Sequence, residues 1–589
     1  MTTVASPTMP SDESENFSWP TVFWGLLLPL IVFAARSVRT LTNNDIPFDT
    51  KYNYLPFARQ ILENAHAFWH SETSLRAAPG ISVYMALAGA DITVIKMLNL
   101  ALALGTVVLA FRISQRVAGN IAAGTTAWLM ALSPLFVNLS ILPQVEGLTF
   151  FLTTLWLWST AWCLDRKTAG TGLAVAVAIA GFALTALTLT RATLMYWIPA
   201  ISLFSIAAYL LPSIAGRHIP WLRIALIHCI ALACIGAYVA RNANEFGKPV
   251  IAAGAGAALY FGNLSPTHGQ EPPYFGLIHD QGFITKDTDQ LTLKGDERLK
   301  SVVNTILTDR PFLDTAKLYF EKAGSILFFS KSHLRTYFER IWRILLIVMG
   351  LAGAWFGRKQ PIVLLVSAVV VYMLAVHIPV LYNQRYSVGA LDVELMLLAG
   401  IGFGLILQQR RRWYALTTTL ILLAASAAMG AWHQRYSQPT MFDTESVPLS
   451  LLIESSPDKV KFTGLGADPF VSLAPLTDDI FKMTWTDNFP VIDGYTLFNL
   501  KILKLKGECT KAWLSLTDRL NSKRWSETHI KSLRDGQDFN WGMASISSPS
   551  AGEKIELSLQ CSRGSQIRLQ SARLLEGTPG KYFLKISEK

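Results

Sequence analysis

Charge is scarce in this chain: only 16% of its 589 residues are Asp, Glu, Lys or Arg, against about 25% in an ordinary soluble protein. A water-soluble enzyme of this length needs a far more ionic surface, so that class is excluded. Cysteine is scarce as well, with 5 residues, and neither a Cys-x-x-Cys pair nor a His-rich stretch occurs that would hold a structural metal. What is abundant is apolar. The chain is 51% hydrophobic, with 17 Trp, 31 Phe and a mean hydropathy of +0.33, which excludes a disordered or fibrous chain. A polytopic membrane protein remains, provided the apolar residues come in blocks of about 20.

They do. Apolar stretches at 19–38, 95–111, 121–141, 148–164, 170–190, 194–211, 222–240, 342–356, 361–381, 388–407 and 413–432 predict about 11 spans, within a range of 9–13. The run Ile81–Ala90 is too short to cross and reads as an interfacial helix. The spans themselves look nearly free of charge, an expectation that favours chemistry at a membrane face over conduction through the bundle.

Every second loop is short and basic: Arg112 and Arg116; Arg166 and Lys167; Arg217 and Arg223; Arg358 and Lys359; Arg410, Arg411 and Arg412. Against these eleven stands one acid, Asp165, while the whole chain carries +11. The basic excess is therefore a topology signal and not a nucleic-acid footprint. With those loops cytoplasmic, residues 1–18 form a cytoplasmic tail and 19–432 the membrane domain. Loops 39–94 and 241–340 and the tail from 433 then lie outside. Arg36 and Arg39 violate the rule at the first span.

Residues 433–589 alternate polar and apolar positions, as in Lys554–Cys561, with Gly, Asn, Asp and Pro between the runs. That pattern predicts an extracytoplasmic β-sandwich. From residue 434 on it holds 20 basic and 18 acidic residues, so it is no polyanion binder, and Trp485, Trp513, Trp525 or Trp541 are candidates for stacking on carbohydrate or for its core. Cys509 and Cys561 both fall there; neither spacing nor motif decides whether they pair.

In the first long loop, apolar residues at 54, 55, 58, 61 and 62 trace one face of an amphipathic helix, with Asp49 just before it. An acid in that position either caps the helix or serves chemistry. Residues 302–329 alternate apolar pairs with Lys and Arg and predict an interfacial helix pair.

The order of several short motifs then resembles a known family. Asp49 is followed by Tyr54-Leu55-x-x-Ala58-Arg59. Next come Met97-Leu98-Asn99 with Ala110-Phe111-Arg112, Pro143-x-x-Glu146-x-Leu148, and Gly181 with Leu189-Thr190-Arg191. Arg241-Asn242, Tyr260-Phe261-Gly262-Asn263 and Arg385-Tyr386 complete the series. This resembles the C-type-fold (GT-C) glycosyltransferases that use a polyprenyl-phosphate sugar, in the bacterial branch containing protein O-mannosyltransferases and the lipid A aminoarabinose transferase. The resemblance runs through about residues 20–400. Where that family often has Lys-Pro-Pro, this chain reads Arg76-Ala77-Ala78-Pro79.

The resemblance implies a hexosyl- or pentosyltransferase acting on the extracytoplasmic face of a bacterial inner membrane, with inversion at the anomeric carbon. Asp49 would be the base, with Asp45 as its rival, and Glu146 would orient the acceptor or a cation, or serve as a second carboxylate. Tyr54, Arg59, Arg76, Arg191, Arg241, Asn263, Arg385 and Tyr386 would line the substrates, the arginines meeting the donor phosphate. The implied partners are the polyprenyl-phosphate sugar, a glycan, glycolipid or protein acceptor and the bilayer. No cofactor and no essential divalent metal are expected, the lipid-linked sugar being a co-substrate. The contrasting reading is a non-catalytic flippase or envelope scaffold with a glycan-binding tail.

Overall fold

The computed structural model describes residues 22–43, 46–165, 167–211, 219–264, 269–271, 289–330, 336–408 and 412–436, together with the strands between 441 and 577 and their turns. Asn44, Asp45 and Arg166 lie outside the described residues. The chain divides into two units: Met1–Ala252 with Tyr337–Leu374 and Ser387–Ala428, and Ala253–Thr336 with Ala375–Tyr386 and Met429–Lys589.

The first unit is helical. After a π turn at Phe23–Leu27 come α1 (Leu28–Thr42), a second π turn (Thr50–Tyr54), α2 (Leu55–Trp69), α3 (Pro79–Leu87), α4 (Ile92–Leu132), α5 (Pro134–Ile141), α6 (Val145–Leu164), α7 (Gly170–Thr190), α8 (Trp197–Leu210) and α9 (Trp221–Phe246). Among the described residues seven helices are long and apolar enough to cross a membrane: 23–42, α4, α6, α7, 192–210, α9 and 384–408. This is a multi-pass membrane protein. Helix α4 breaks at Ala118 and at Gly119, whose φ of 74° sends the chain back, so its 41 residues supply the span predicted at 95–111 and the first part of that predicted at 121–141, the rest of which forms the separate helix α5. Gln408 closes the turn with a hydrogen bond to the Ala118 carbonyl.

The second unit begins with α10 (Ala255–Gly262) and β1 (Gln270–Glu271), followed by α11 (Leu293–Asp309) and α12 (Phe312–Phe328). Leu299, Val303 and Ile306 of α11 bury against Ala257, Tyr260 and Leu264. Phe312, Leu313 and Phe320 on α12 stay exposed, the apolar face the sequence led us to expect there. The chain then returns to the first unit as α13 (Tyr337–Phe356). Helix α14 (Pro361–His377), β2 (Tyr382–Asn383), α15 (Gly389–Gln408) and α16 (Arg412–Tyr436) follow.

In the first unit α13 crosses α15 where no side chain fits: a Cβ at Gly402 would lie 2.7 Å from the Gly353 nitrogen. All residues of α15 from Gly389 to Gly402 are buried. The expectation that the spans are nearly free of charge fails here. Asp392 and Glu394 on α15, Arg343 on α13 and Lys96 on α4 are all buried. The apolar residues around them dilute their charge in any window average.

In the second unit the tail forms two largely antiparallel sheets. One has the order β10 (Lys523–Thr528), β9 (Cys509–Thr517), β12 (Lys554–Cys561), β7 (Ile480–Trp485) and β4 (Leu452–Glu454). The other has β11 (Gln537–Ser545), β8 (Tyr495–Lys506), β13 (Gln566–Gly577), β6 (Val471–Pro475) and β5 (Val460–Thr463), with β3 (Met441–Val447) paired to β13. Leu557 and Leu559 of the first sheet and Leu500, Ile502 and Leu569 of the second are fully buried, the alternation read from the sequence. Cys509 and Cys561 stand opposite each other in register and are joined by a disulfide.

Candidate functional site

The two ends of the first unit differ in chemistry. At one end lie the basic turns: Arg116 pairs with Asp165, and Arg223 donates to the carbonyls of Cys163 and Asp165 at 2.8 Å. At the other end the long connection 43–91 folds back over the helix ends. There Lys96 donates to the carbonyls of Thr40, Leu41 and Asn43, neutralising the C-terminal dipole of α1. Arg36, which broke the charge rule, donates to the Ala131 carbonyl at 2.6 Å. Its placement follows from capping the second arm of α4.

Several sequence-predicted residues meet at this loop-covered end. Asp49 precedes the π turn Thr50–Tyr54, and its side chain makes no capping bond, so the capping explanation for an acid there does not hold. Thr50, fully buried, donates to the Pro143 carbonyl, which ties the start of the first loop to the connection carrying Glu146. Tyr54 packs on a cluster of Leu55, Ala58, Ile81, Met85 and Val145. The amphipathic face thus holds at 54, 55, 58 and 61, but Leu62 is exposed. Non-helical backbone at Asn64 rotates the register beyond that point.

Glu146 sits in the first turn of α6, fully buried, where the helix dipole favours an anion. The same corner is locked by Tyr84, whose hydroxyl donates at 2.8 Å to Asn99, and by Asn99, which donates at 2.7 Å to the Leu142 carbonyl.

Arg76 lies in the turn before α3, partly buried, and Arg59 is exposed on α2. The start of α3 presses on the end of α7: a Cβ at Gly80 would come within 2.9 Å of the Thr190 backbone. That contact brings the Arg76–Pro79 segment to Thr190 and Arg191. Arg191 follows the last residue of α7 in an extended conformation. Arg241, near the end of α9, donates to the Trp69 carbonyl and, at 2.8 Å, to Asn242, and its guanidinium lies 5.2 Å from the Phe246 ring.

The first unit thus gathers Asp49, Tyr54, Arg59, Arg76, Glu146, Arg191 and Arg241 at one end. The other three predicted residues belong to the second unit. Asn263 is fully buried there, donating to the Leu259 and Pro379 carbonyls at 2.8 and 3.0 Å and accepting from Tyr319 at 3.0 Å. Arg385 lies over the Tyr386 ring at 4.8 Å, just after β2, which pairs with β1.

Sequence reasoning missed the buried group on α13 and α15. Arg343 and Asp392 form an ion pair with side chains 2% and 4% exposed. Glu394 follows two residues on, 1% exposed. The available signal was the spacing Asp-x-Glu near the start of an apolar span. Among the described residues no three His, Cys, Asp or Glu side chains converge as metal ligands.

No family model and no curated protein matches the sequence. Among solved structures the chain is similar to the archaeal oligosaccharyltransferase AglB from Archaeoglobus fulgidus in complex with an inhibitory peptide and a dolichol-phosphate. The identity is 13% and the TM-score 0.40, over 71% of this chain and 56% of that one. The apo form of the same enzyme gives 14% identity and 0.38, over 72% and 57%. An agarase gives 14% and 0.19, over 24% of this chain and 25% of the other. This chain therefore spans about a quarter of the agarase and just over half of the oligosaccharyltransferase. At such scores the likenesses carry no argument, and the functional reading rests on the residues.

Proposed function

We propose that the chain is a membrane glycosyltransferase of the C-type fold that moves a sugar from a polyprenyl phosphate to an acceptor outside the cytoplasm. Such a transfer needs a base for the acceptor hydroxyl, cations for the leaving phosphate and an apolar groove for the lipid. The observation that carries the reading is the tie of Asp49's turn to the Pro143–Glu146 connection, at the end of the unit that also holds Arg76, Arg191 and Arg241. Asp49 then takes the proton of the attacking hydroxyl. Glu146, buried in the first turn of α6, orients the acceptor. Arg191 and Arg241 offer the planar fork that suits a phosphate. Attack opposite the phosphate inverts the anomeric carbon, and the reaction needs no divalent metal. The disulfide at Cys509 and Cys561 supports a tail in an oxidising compartment, and a bacterial inner membrane with a periplasmic tail suits that.

The buried charges on α4, α13 and α15 favour a second reading, a mover of lipid-linked glycans. Yet Lys96, Arg343, Asp392 and Glu394 all lie within the first two turns of their helices, at one end of the unit, and do not line a path through it.

The test is transfer of radiolabelled sugar from a polyprenyl phosphate by the reconstituted full chain into envelope material from cells lacking it. Asp49→Asn is expected to lose at least ~100-fold, the ordinary share of a general base, with unchanged unfolding temperature. Activity within a few-fold of the parent refutes Asp49 and turns attention to Asp45. Full activity in chelator supports a metal-free reaction, and rescue by a divalent ion overturns it.

A further inference from the structure

Arg241 stands in the last two turns of α9, partly exposed, and the residue after it is fully buried. An amide side chain closed away from water has to place both its oxygen and its NH2 group. Asn242 does so in two directions. Past the end of α9, Gly247 takes a φ of 71° and the chain turns back, so that the Val250 carbonyl accepts from Asn242 Nδ2 at 2.8 Å. A carbonyl can only accept, which settles the orientation of the amide. Its Oδ1 is then the atom left for Arg241, and it accepts from Nη1 of that residue at 2.8 Å.

The guanidinium is held from two further sides. Its Nη2 donates to the carbonyl of Trp69, the last residue of α2, and its centre lies 5.2 Å from the Phe246 ring, within range of a cation–π contact. A ring face tolerates rotation of the group above it, and one carbonyl defines one direction only. The bond to Asn242 supplies a second direction, and two directions fix a plane. A guanidinium carries more N–H donors than these two bonds use, which leaves the rest for a ligand. The corner itself does not hang on Asn242, because His70 Nδ1 lies 2.8 Å from a Glu245 carboxylate oxygen and ties the same two chain segments together.

We propose that Asn242 is a positioning residue for Arg241, fixing the plane of its guanidinium so that the donors left over meet the phosphate of the lipid-linked sugar. This rests on the reading of Arg241 as a phosphate contact. A planar fork matches two phosphate oxygens only when its plane is correctly turned. Without Asn242 the side chain keeps its charge and its bond to Trp69 but swings about that bond, and the match is lost.

Binding of two tritiated lipids to the purified full chain, polyprenyl phosphate and the polyprenol that lacks the phosphate, reads this without sugar or turnover. Asn242→Ala and Arg241→Lys are each expected to weaken binding of the phosphate lipid about 10-fold, the ordinary share of a hydrogen bond to a charged group. The affinity for polyprenol is expected to stay at the parent's value. The double variant is expected to bind the phosphate lipid within about twofold of Arg241→Lys alone, because groups in one network do not add. Should Asn242→Ala fail to fold, Asn242→Asp, of the same size, sets a carboxylate against the fork, and a loss of at least about 10-fold is expected, again confined to the phosphate lipid. Parent-like phosphate binding by a folded Asn242 variant, equal losses for both lipids as a merely structural role would give, or losses that multiply in the double variant overturn the positioning role and leave the transferase reading intact. A parent chain that transfers sugar but whose affinity for polyprenyl phosphate ignores Arg241→Lys removes the premise and this proposal with it. A parent that binds neither lipid sinks both.

Discussion

Arg343 and Asp392 offer the sharpest energetic test of the first unit. The pair joins α13 to α15, and its side chains are 2% and 4% exposed, so neither charge has water to fall back on. Arg343→Met leaves the Asp392 carboxylate buried without its cation. The expected cost is about 3–5 kcal/mol, because removal of one partner strands the other. Asp392→Leu strands Arg343 and costs a similar amount. Replacing both is another matter: Arg343→Met with Asp392→Leu removes two desolvated charges and leaves two apolar side chains of fitting size. The double variant is therefore expected within about 1 kcal/mol of the parent, or above it. Unfolding of the four proteins in one detergent, followed by heat or denaturant, gives the comparison. Single variants that cost under about 1 kcal/mol, as a solvated surface pair does, would show that water reaches the pair and would refute the enclosed helix crossing.

Other consequences are as direct. Gly80→Val sets a branched side chain where even a Cβ meets the Thr190 backbone at 2.9 Å, so it is expected to part α3 from α7 and to abolish transfer; a parent-like rate contradicts the contact. Cys509→Ser with Cys561→Ser removes a staple worth about 2–5 kcal/mol, and the parent should migrate faster on a non-reducing gel than on a reducing one; identical migration denies the bond. Lys322 of α12 is fully buried, donating at 2.7 Å to the Gly262 carbonyl and to that of Val380. Burial, with Arg310 nearby, pushes its pKa well below the lysine norm. The unfolded chain then binds a proton that the folded one refuses. Stability relative to Lys322→Met should therefore rise with pH through the window below about 10.4 and fall on acidification. A flat difference contradicts a neutral lysine.

Much of the helical scaffold was legible because a span writes itself in consecutive residues. The stretch predicted at 170–190 is α7 to the residue, and that at 148–164 misses only the first turn of α6. The reversal at Gly119 was visible in Arg112 and Arg116, since a basic turn splits what would otherwise be one apolar run. The run at 342–356, which already holds Arg343, instead extends back to Tyr337 through Glu339 and Arg340, and α13 is not among the seven spanning helices.

The candidate site was legible only in part. Asp49, Glu146 and Arg191 stand in recognisable order, but what joins them is written nowhere along the chain. Thr50 meets Pro143, and Gly80 meets Thr190, across more than ninety residues each. Arg343 and Asp392 escaped for the same reason: each looks like a stray charge at a span's edge until its partner, 49 residues away, is seen. The π turns at Phe23 and Thr50 have no sequence signal comparable to the periodicity of an α-helix.

The central claim is that the end of the first unit carrying Asp49 faces away from the cytosol. Phe48 is 73% exposed beside it. A Phe48→Cys variant in spheroplasts, challenged with a membrane-impermeant maleimide, should react at once, while the same substitution at Trp355, 50% exposed beside the basic turn at Arg358, should react only after the membrane is opened. The reverse order of labelling would put the carboxylate and its arginines on the wrong side of the bilayer for the proposed transfer.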